Sequence, residues 1–142
     1  MIGDSADMLI DLSPLQNAIG KLEVALARHA REPADEEVRD SVIQRFEFTY
    51  DLSHKMLRRV LEATGGDADE VAQMTFPTLI RTGWEQNLVA GGWPMWSDFR
   101  TMRNKSSHTY DIAIAIEVAA KVPKFLEEAK ILAERLAARL TN

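Results

Sequence analysis

From Arg103 to Tyr110 the chain sets an arginine, an asparagine, a lysine, two serines, a histidine, a threonine and a tyrosine side by side. These side chains bind phosphate and move protons. Arginine can hold a phosphate through two parallel hydrogen bonds. Histidine, with an unperturbed pKa of about 6.5, takes and returns protons near neutrality. Arg103 and His108 are therefore a minimal set for cleaving RNA without metal. A base draws the proton from the ribose 2′-OH, an acid protonates the leaving oxygen, and a cation stabilises charge building on phosphorus. Asn104 and Ser107 are candidates for secondary phosphate or 2′-OH contacts. One histidine cannot hold both protonation states at once, so this chemistry predicts two copies across a two-fold axis, one acting as base and its mate as acid. The plainer alternative is that Arg103 pairs with an acidic neighbour while His108 caps or buries.

These residues must be positioned by the helix that precedes them. Met95, Phe99 and Met102 recur at the spacing that puts three apolar side chains on one helical face. On a continuous helix Arg103 and His108 would point about 140° apart. If both serve one site the helix must end between them, at Ser106-Ser107. Glu47 and Asp51, on another helix, are candidate carboxylates for the same cleft.

The remaining elements read as helices. Ser13-Pro14-Leu15-Gln16 predicts a helix start with a capping box, followed by the stripe Leu15, Ile19, Leu22, Leu26 to about Arg31. Asp35 predicts the cap of a long second helix from about Glu36 to Ala63, closed by Gly65-Gly66. Val42, Phe46, Thr49, Ser53, Met56 and Val60 face its core side. Gln44, Glu47, Asp51, His54 and Arg58 fall opposite, where a solvated face laced by local charge pairs is expected. Thr75-Phe76-Pro77-Thr78 starts a short helix ending near Asn87. Trp84, Trp93 and Trp96 are expected to pack in the core rather than stack bases. Asp111 caps a final helix that Pro123 should kink or divide. No alternating strand pattern or repeat interrupts this, so the fold class is all-α: an up-down four-helix-bundle core with a short additional helix. Residues 1–12 read as an N-terminal extension and 13–142 as one helical-bundle domain.

Composition narrows the function. Cysteine is absent, which excludes disulfides and thiolate catalysis and fits a reducing cytoplasm. No apolar run approaches the ~18 residues of a membrane span, and the acidic start lacks the order of a signal peptide. No glycine-rich phosphate loop, paired-histidine metal motif or nucleophile elbow occurs, and the site as read needs no cofactor or metal. A net charge of −5 argues against a general polyanion-binding surface. Between Arg81 and Tyr110, however, Arg81, Arg100, Arg103 and Lys105 outnumber Glu85 and Asp98. Any nucleic acid is expected there.

The string Arg103-Asn104-Lys105-Ser106-Ser107-His108-Thr109-Tyr110 resembles the Arg-x4-His-x-Tyr signature of HEPN domains. Together with Gln44-Arg45-Phe46-Glu47-Phe48-Thr49 and His108-Thr109-Tyr110-Asp111, the chain from about Leu15 to Leu140 is similar to the nucleotidyltransferase substrate-binding branch of that superfamily. His54 departs from it, since relatives often carry an aromatic there. The resemblance implies a homodimeric bundle acting with a minimal nucleotidyltransferase encoded nearby as a toxin–antitoxin pair. It further implies RNA cleavage through Arg103 and His108, and silencing by adenylylation of Tyr110. The alternative, of a different class, is a non-catalytic substrate-binding subunit of a split nucleotidyltransferase.

Overall fold

Residues 10–141 are described by the computed structural model. The acidic start, and with it most of the expected N-terminal extension, lies outside the described residues. Six helices follow in order: α1 Ser13–Arg31, α2 Glu36–Thr64, α3 Ala68–Ala72, α4 Phe76–Glu85, α5 Gly92–Lys105 and α6 Ile112–Thr141, with a 3-10 turn at Ser106–His108. No strand occurs among them. The expected all-α fold with a four-helix core is what forms, carrying two short helices, α3 and α4, where one was expected. α1, α2, α5 and α6 are the long members. α2 packs against both α1 and α6, and α4 packs on α5.

The caps show why the chain breaks where it does. Asp35 accepts hydrogen bonds from the backbone N–H groups of Glu37 and Val38, so α2 starts as expected. Asp67 caps α3 in the same way, and the Thr75 hydroxyl caps α4. Each satisfies donors that the first helical turn leaves free. Asn87 carries a positive φ of 61°, a conformation asparagine tolerates, and ends the α4 segment. The start of α1 differs from the expected capping box. Ser13 is already helical, and the Asp11 carboxylate accepts from its N–H at 2.9 Å. That bond holds the Asp11 carboxyl below the usual carboxylate range.

The expectation that Pro123 divides the last helix is also corrected. α6 runs unbroken through it. Proline forfeits one intrahelical hydrogen bond, but Val122 and Phe125 beside it are fully buried, and their packing holds the helix together. On the same helix Ile112 and Ile116 are exposed, while Ala115, Val118 and Ala119 are buried.

An aromatic cluster fixes α5, the helix that carries the polar motif. The Phe125 ring meets Phe46 edge-on at 5.0 Å and Phe99 at 5.2 Å, and Trp96 meets Phe99 at 5.2 Å. These side chains come from α2, α5 and α6, so burial and edge-to-face contact clamp three helices at one point. Of the three tryptophans, Trp96 is core as expected. Trp84 is not: it is 57% exposed and lies over Gly92.

No helix among the described residues is long and apolar enough to cross a membrane.

Candidate active site

α5 ends at Lys105 and the chain tightens into the 3-10 turn Ser106–His108, so the helix stops between Arg103 and His108, as the site requires. Ser106 explains the tightening. Its buried hydroxyl lies 2.7 Å from the Arg103 carbonyl oxygen and 2.7 Å from Glu47 Oε2. Its single proton goes to one of the two. A serine bonding back to the carbonyl three residues earlier competes with the helical ladder and ends it. The sequence singles out Ser107, which is exposed and bonds only to the Asn104 carbonyl. Ser106, which joins the motif to α2, is missed. Its spacing of three from Arg103 at a helix end was the available signal.

The Arg103 guanidinium is held by α2. Nε and Nη2 fork onto the two oxygens of Asp51, each at 3.1 Å, while Nη1 donates to Glu47 Oε2 at 2.9 Å and to Ser106 Oγ at 3.3 Å. The hydrogen bonds that the guanidinium donates to Asp51, against a smaller effect of burial, push it further above its already high pKa. Glu47 and Asp51, flagged as cleft carboxylates, are therefore both brought to the motif. They replace the solvated face expected on α2. They bind across the fold rather than along their own helix. Arg58, from the same face, donates to the carbonyl oxygens of Val71 and Met74, and His54 is half-buried between the rings of Tyr50 and Phe76.

His108 and Tyr110 stand on the other side of the helix end. Both are exposed, Tyr110 to 78%. His108 Nδ1 lies 3.3 Å from the Tyr110 hydroxyl, which leaves Nε2 directed away from that contact. Asp111 then caps α6 by accepting from the Ala113 N–H at 2.9 Å. A groove of about 380 Å³ opens beside this corner, bounded by Asp40, Gln44, Glu47, Ser106, Thr109 and Tyr110. Asn104 is exposed at the rim.

The end of α5 thus holds a cation fixed by α2 and, past the 3-10 turn, an imidazole and a phenol open to solvent. With two carboxylates on one guanidinium, its local charge is negative. Of the two carboxylates on Arg103, Asp51 is the more exposed, its side chain at 52% against 29% for Glu47.

Known proteins with this architecture carry related descriptions. Residues 10–138 match the family model described as nucleotidyltransferase substrate binding protein like. A Haemophilus influenzae protein named probable ribonuclease HepT is 38% identical over 97 residues, a match spanning 68% of this chain and 66% of that protein, just under two thirds of its length. A solved H. influenzae structure, described as revealing the fold of a substrate-binding domain of a nucleotidyltransferase, superposes with a TM-score of 0.84 at 30% identity. It covers 89% of this chain and 99% of that one.

Proposed function

The chain belongs to the HEPN-type nucleotidyltransferase substrate-binding family, whose description implies a nucleotidyltransferase partner, and on that premise we propose that it is an RNA-cleaving toxin held in check by that partner. The observation that supports this reading is that α5 ends between Arg103 and His108, with the Arg103 guanidinium held by α2 and the His108 imidazole exposed. In the proposed reaction His108 of one molecule accepts the 2′-OH proton. The 2′-oxygen attacks phosphorus as the bond to the 5′-oxygen breaks, and the protonated His108 of a second copy gives its proton to that leaving oxygen. Arg103, released from Asp51, stabilises the phosphorane charge. No metal takes part. Asn104 and Ser107 contact phosphate or 2′-OH at the rim. The functional unit is a homodimer, and the setting is the cytoplasm.

Silencing follows from the exposure of Tyr110. Adenylylation of its hydroxyl by the nucleotidyltransferase puts an anionic AMP within reach of the His108 ring, whose centroid lies 5.9 Å from that of Tyr110. The added group then blocks RNA sterically and by charge. Induced expression without the partner is expected to arrest growth, and His108→Ala to abolish that arrest. Purified wild-type protein is expected to cut RNA in EDTA. A harmless chain that leaves RNA intact would end the nuclease reading. Mass spectrometry after co-expression is expected to map AMP to Tyr110.

A second reading, in which the chain is a non-catalytic subunit that presents Tyr110 to the nucleotidyltransferase, is favoured by one observation. Arg103 already spends four hydrogen bonds on protein groups.

A further inference from the structure

The fold redistributes charge in a way the linear sequence hides. Four cations between Arg81 and Tyr110 mark that segment as locally basic. In the folded chain Arg103 is covered by Glu47 and Asp51, and Lys105 is paired with Glu117 at 2.9 Å. Arg81 and Arg100 have no ion-pair partner among the described residues and lie over the rings of Trp93 and Phe76. Further cations without a carboxylate partner gather at another place. Between α1 and α2 two hollows of about 530 and 260 Å³ share Asn17, Lys21 and Arg45 and so form one groove. Its walls hold Lys21, Arg28 and Arg45 and not one carboxylate. Arg28 is partnered by Glu32 at 2.8 Å, but among the described residues neither Lys21 nor Arg45 has an ion-pair partner. In a chain of net charge −5 this is a segregated positive field.

Two further features suit a particular occupant. Phe48 sits at one end of the groove with its ring 53% exposed, an apolar face open to a stacking partner. Gly20 lines the groove from the middle of α1, and a Cβ built there would meet nothing within 4 Å. Glycine inside a helix is unfavourable relative to alanine. Neither packing nor backbone conformation asks for it here. What its missing side chain does is keep the groove open. Unpaired cations, an amide and an exposed aromatic ring in a groove without carboxylates are the chemistry that holds a single-stranded nucleic acid by phosphate and base.

We infer that the α1–α2 groove is a track for single-stranded RNA, in which Lys21 and Arg45 hold phosphates and Phe48 stacks a base. The inference rests on RNA being the substrate of the Arg103–His108 corner. It supplies the cationic surface that the corner lacks. Phe48 and Asp51 are about 60° apart around α2, so a strand leaving the groove at Phe48 crosses one helix face to meet Arg103 where Asp51 gives way.

The test uses full-length protein carrying His108→Ala, so that the probe stays intact. A fluorescein-labelled oligouridylate of about a dozen nucleotides is titrated by anisotropy at several salt concentrations. Lys21→Ala with Arg45→Ala is expected to weaken binding roughly tenfold and to flatten the slope of log K against log salt by about 1.4, at about 0.7 for each cation removed. Phe48→Ala is expected to lower affinity with the slope unchanged. Gly20→Glu puts a carboxylate in the groove and a better helix former in α1, so binding should fall while the melting temperature holds or rises. That combination separates loss of the groove from loss of the fold. A parent that binds no oligonucleotide, or a double variant with parental affinity and slope, overturns the inference. So does a double variant that releases purified nucleotidyltransferase while keeping RNA, since the groove would then be a protein-docking surface. Groove-dependent binding by a wild-type chain that leaves RNA uncut supports the track and removes only the nuclease reading.

Discussion

Arg103 makes four side-chain hydrogen bonds to α2 and to Ser106, whereas His108, five residues on, reaches only the hydroxyl of Tyr110, and both of those rings stand in solvent. The two ends of one short motif are thus built to opposite specifications. The arginine end has its geometry fixed before any ligand arrives, at the cost of two carboxylates on its one guanidinium. The histidine end retains its rotamer freedom, and ordering it on binding costs on the order of 0.5–1.5 kcal/mol per side chain. A site with one half preorganised and the other open is a site that a second surface completes. A twin molecule, a bound RNA or the nucleotidyltransferase could each supply that surface.

Substitutions at the two ends should therefore separate activity from stability. His108→Ala is expected to cost about 10²–10⁴ in RNA cleavage, the usual worth of a general acid–base, with a melting temperature indistinguishable from wild type because the ring packs against almost nothing. Arg103→Ala should cost comparable activity and also stability, about 1–2 kcal/mol after solvent screening. It leaves Glu47 and Asp51 facing each other without their cation. Thermal melts alongside a gel-based cleavage assay check both. Equal melting temperatures for the two variants would dissolve the contrast. A milder change sharpens it. Asp51→Asn weakens the fork without removing the hydrogen bonds of Glu47 and Ser106, so RNA binding should tighten about two- to fivefold while stability falls by less than about 1 kcal/mol. Weaker RNA binding in that variant would mean that Asp51 orients the guanidinium rather than competing for it.

Much of this was legible from residue order alone, and the reason is local. Helix spans follow from apolar spacing and from Asp35 and Thr75 as caps, which act within three residues. The short α3 capped by Asp67 is not legible in the sequence, where its acidic residues suggest a loop. The end of α5 at Ser106 follows from the demand that Arg103 and His108 share a corner. What stayed hidden is long-range. That Glu47 and Asp51 cancel the charge of Arg103 depends on how α2 lies against α5, and no periodicity encodes that distance. The same holds for the groove: Lys21 and Arg45 are 24 positions apart in the numbering and become neighbours only because α1 folds back on α2. Trp84 misled for a related reason. A residue type sets a preference, and tertiary packing decided against it there.

The smallest effect, and a clean one, belongs to an imidazole that is half-buried where that of His108 is exposed. His54 is wedged between Tyr50 and Phe76, and among the described residues its Nδ1 has no hydrogen-bond partner. Burial, only partly offset by the nearby Asp51 charge and reinforced by Arg58, lowers its pKa below the ordinary 6.5. The unfolded chain therefore binds this proton more readily than the folded one. Stability contributed by the neutral ring is fully present above pH ~6.5 and is lost as pH falls through the lowered folded value. Carboxylates such as Glu117, held below the usual 4.5 by Lys105, enter only at lower pH. Urea melts between pH 7.5 and 5 should show this slope in wild type and a flatter one in His54→Phe. A slope that survives intact in His54→Phe would show that the half-buried ring of His54 does not carry it.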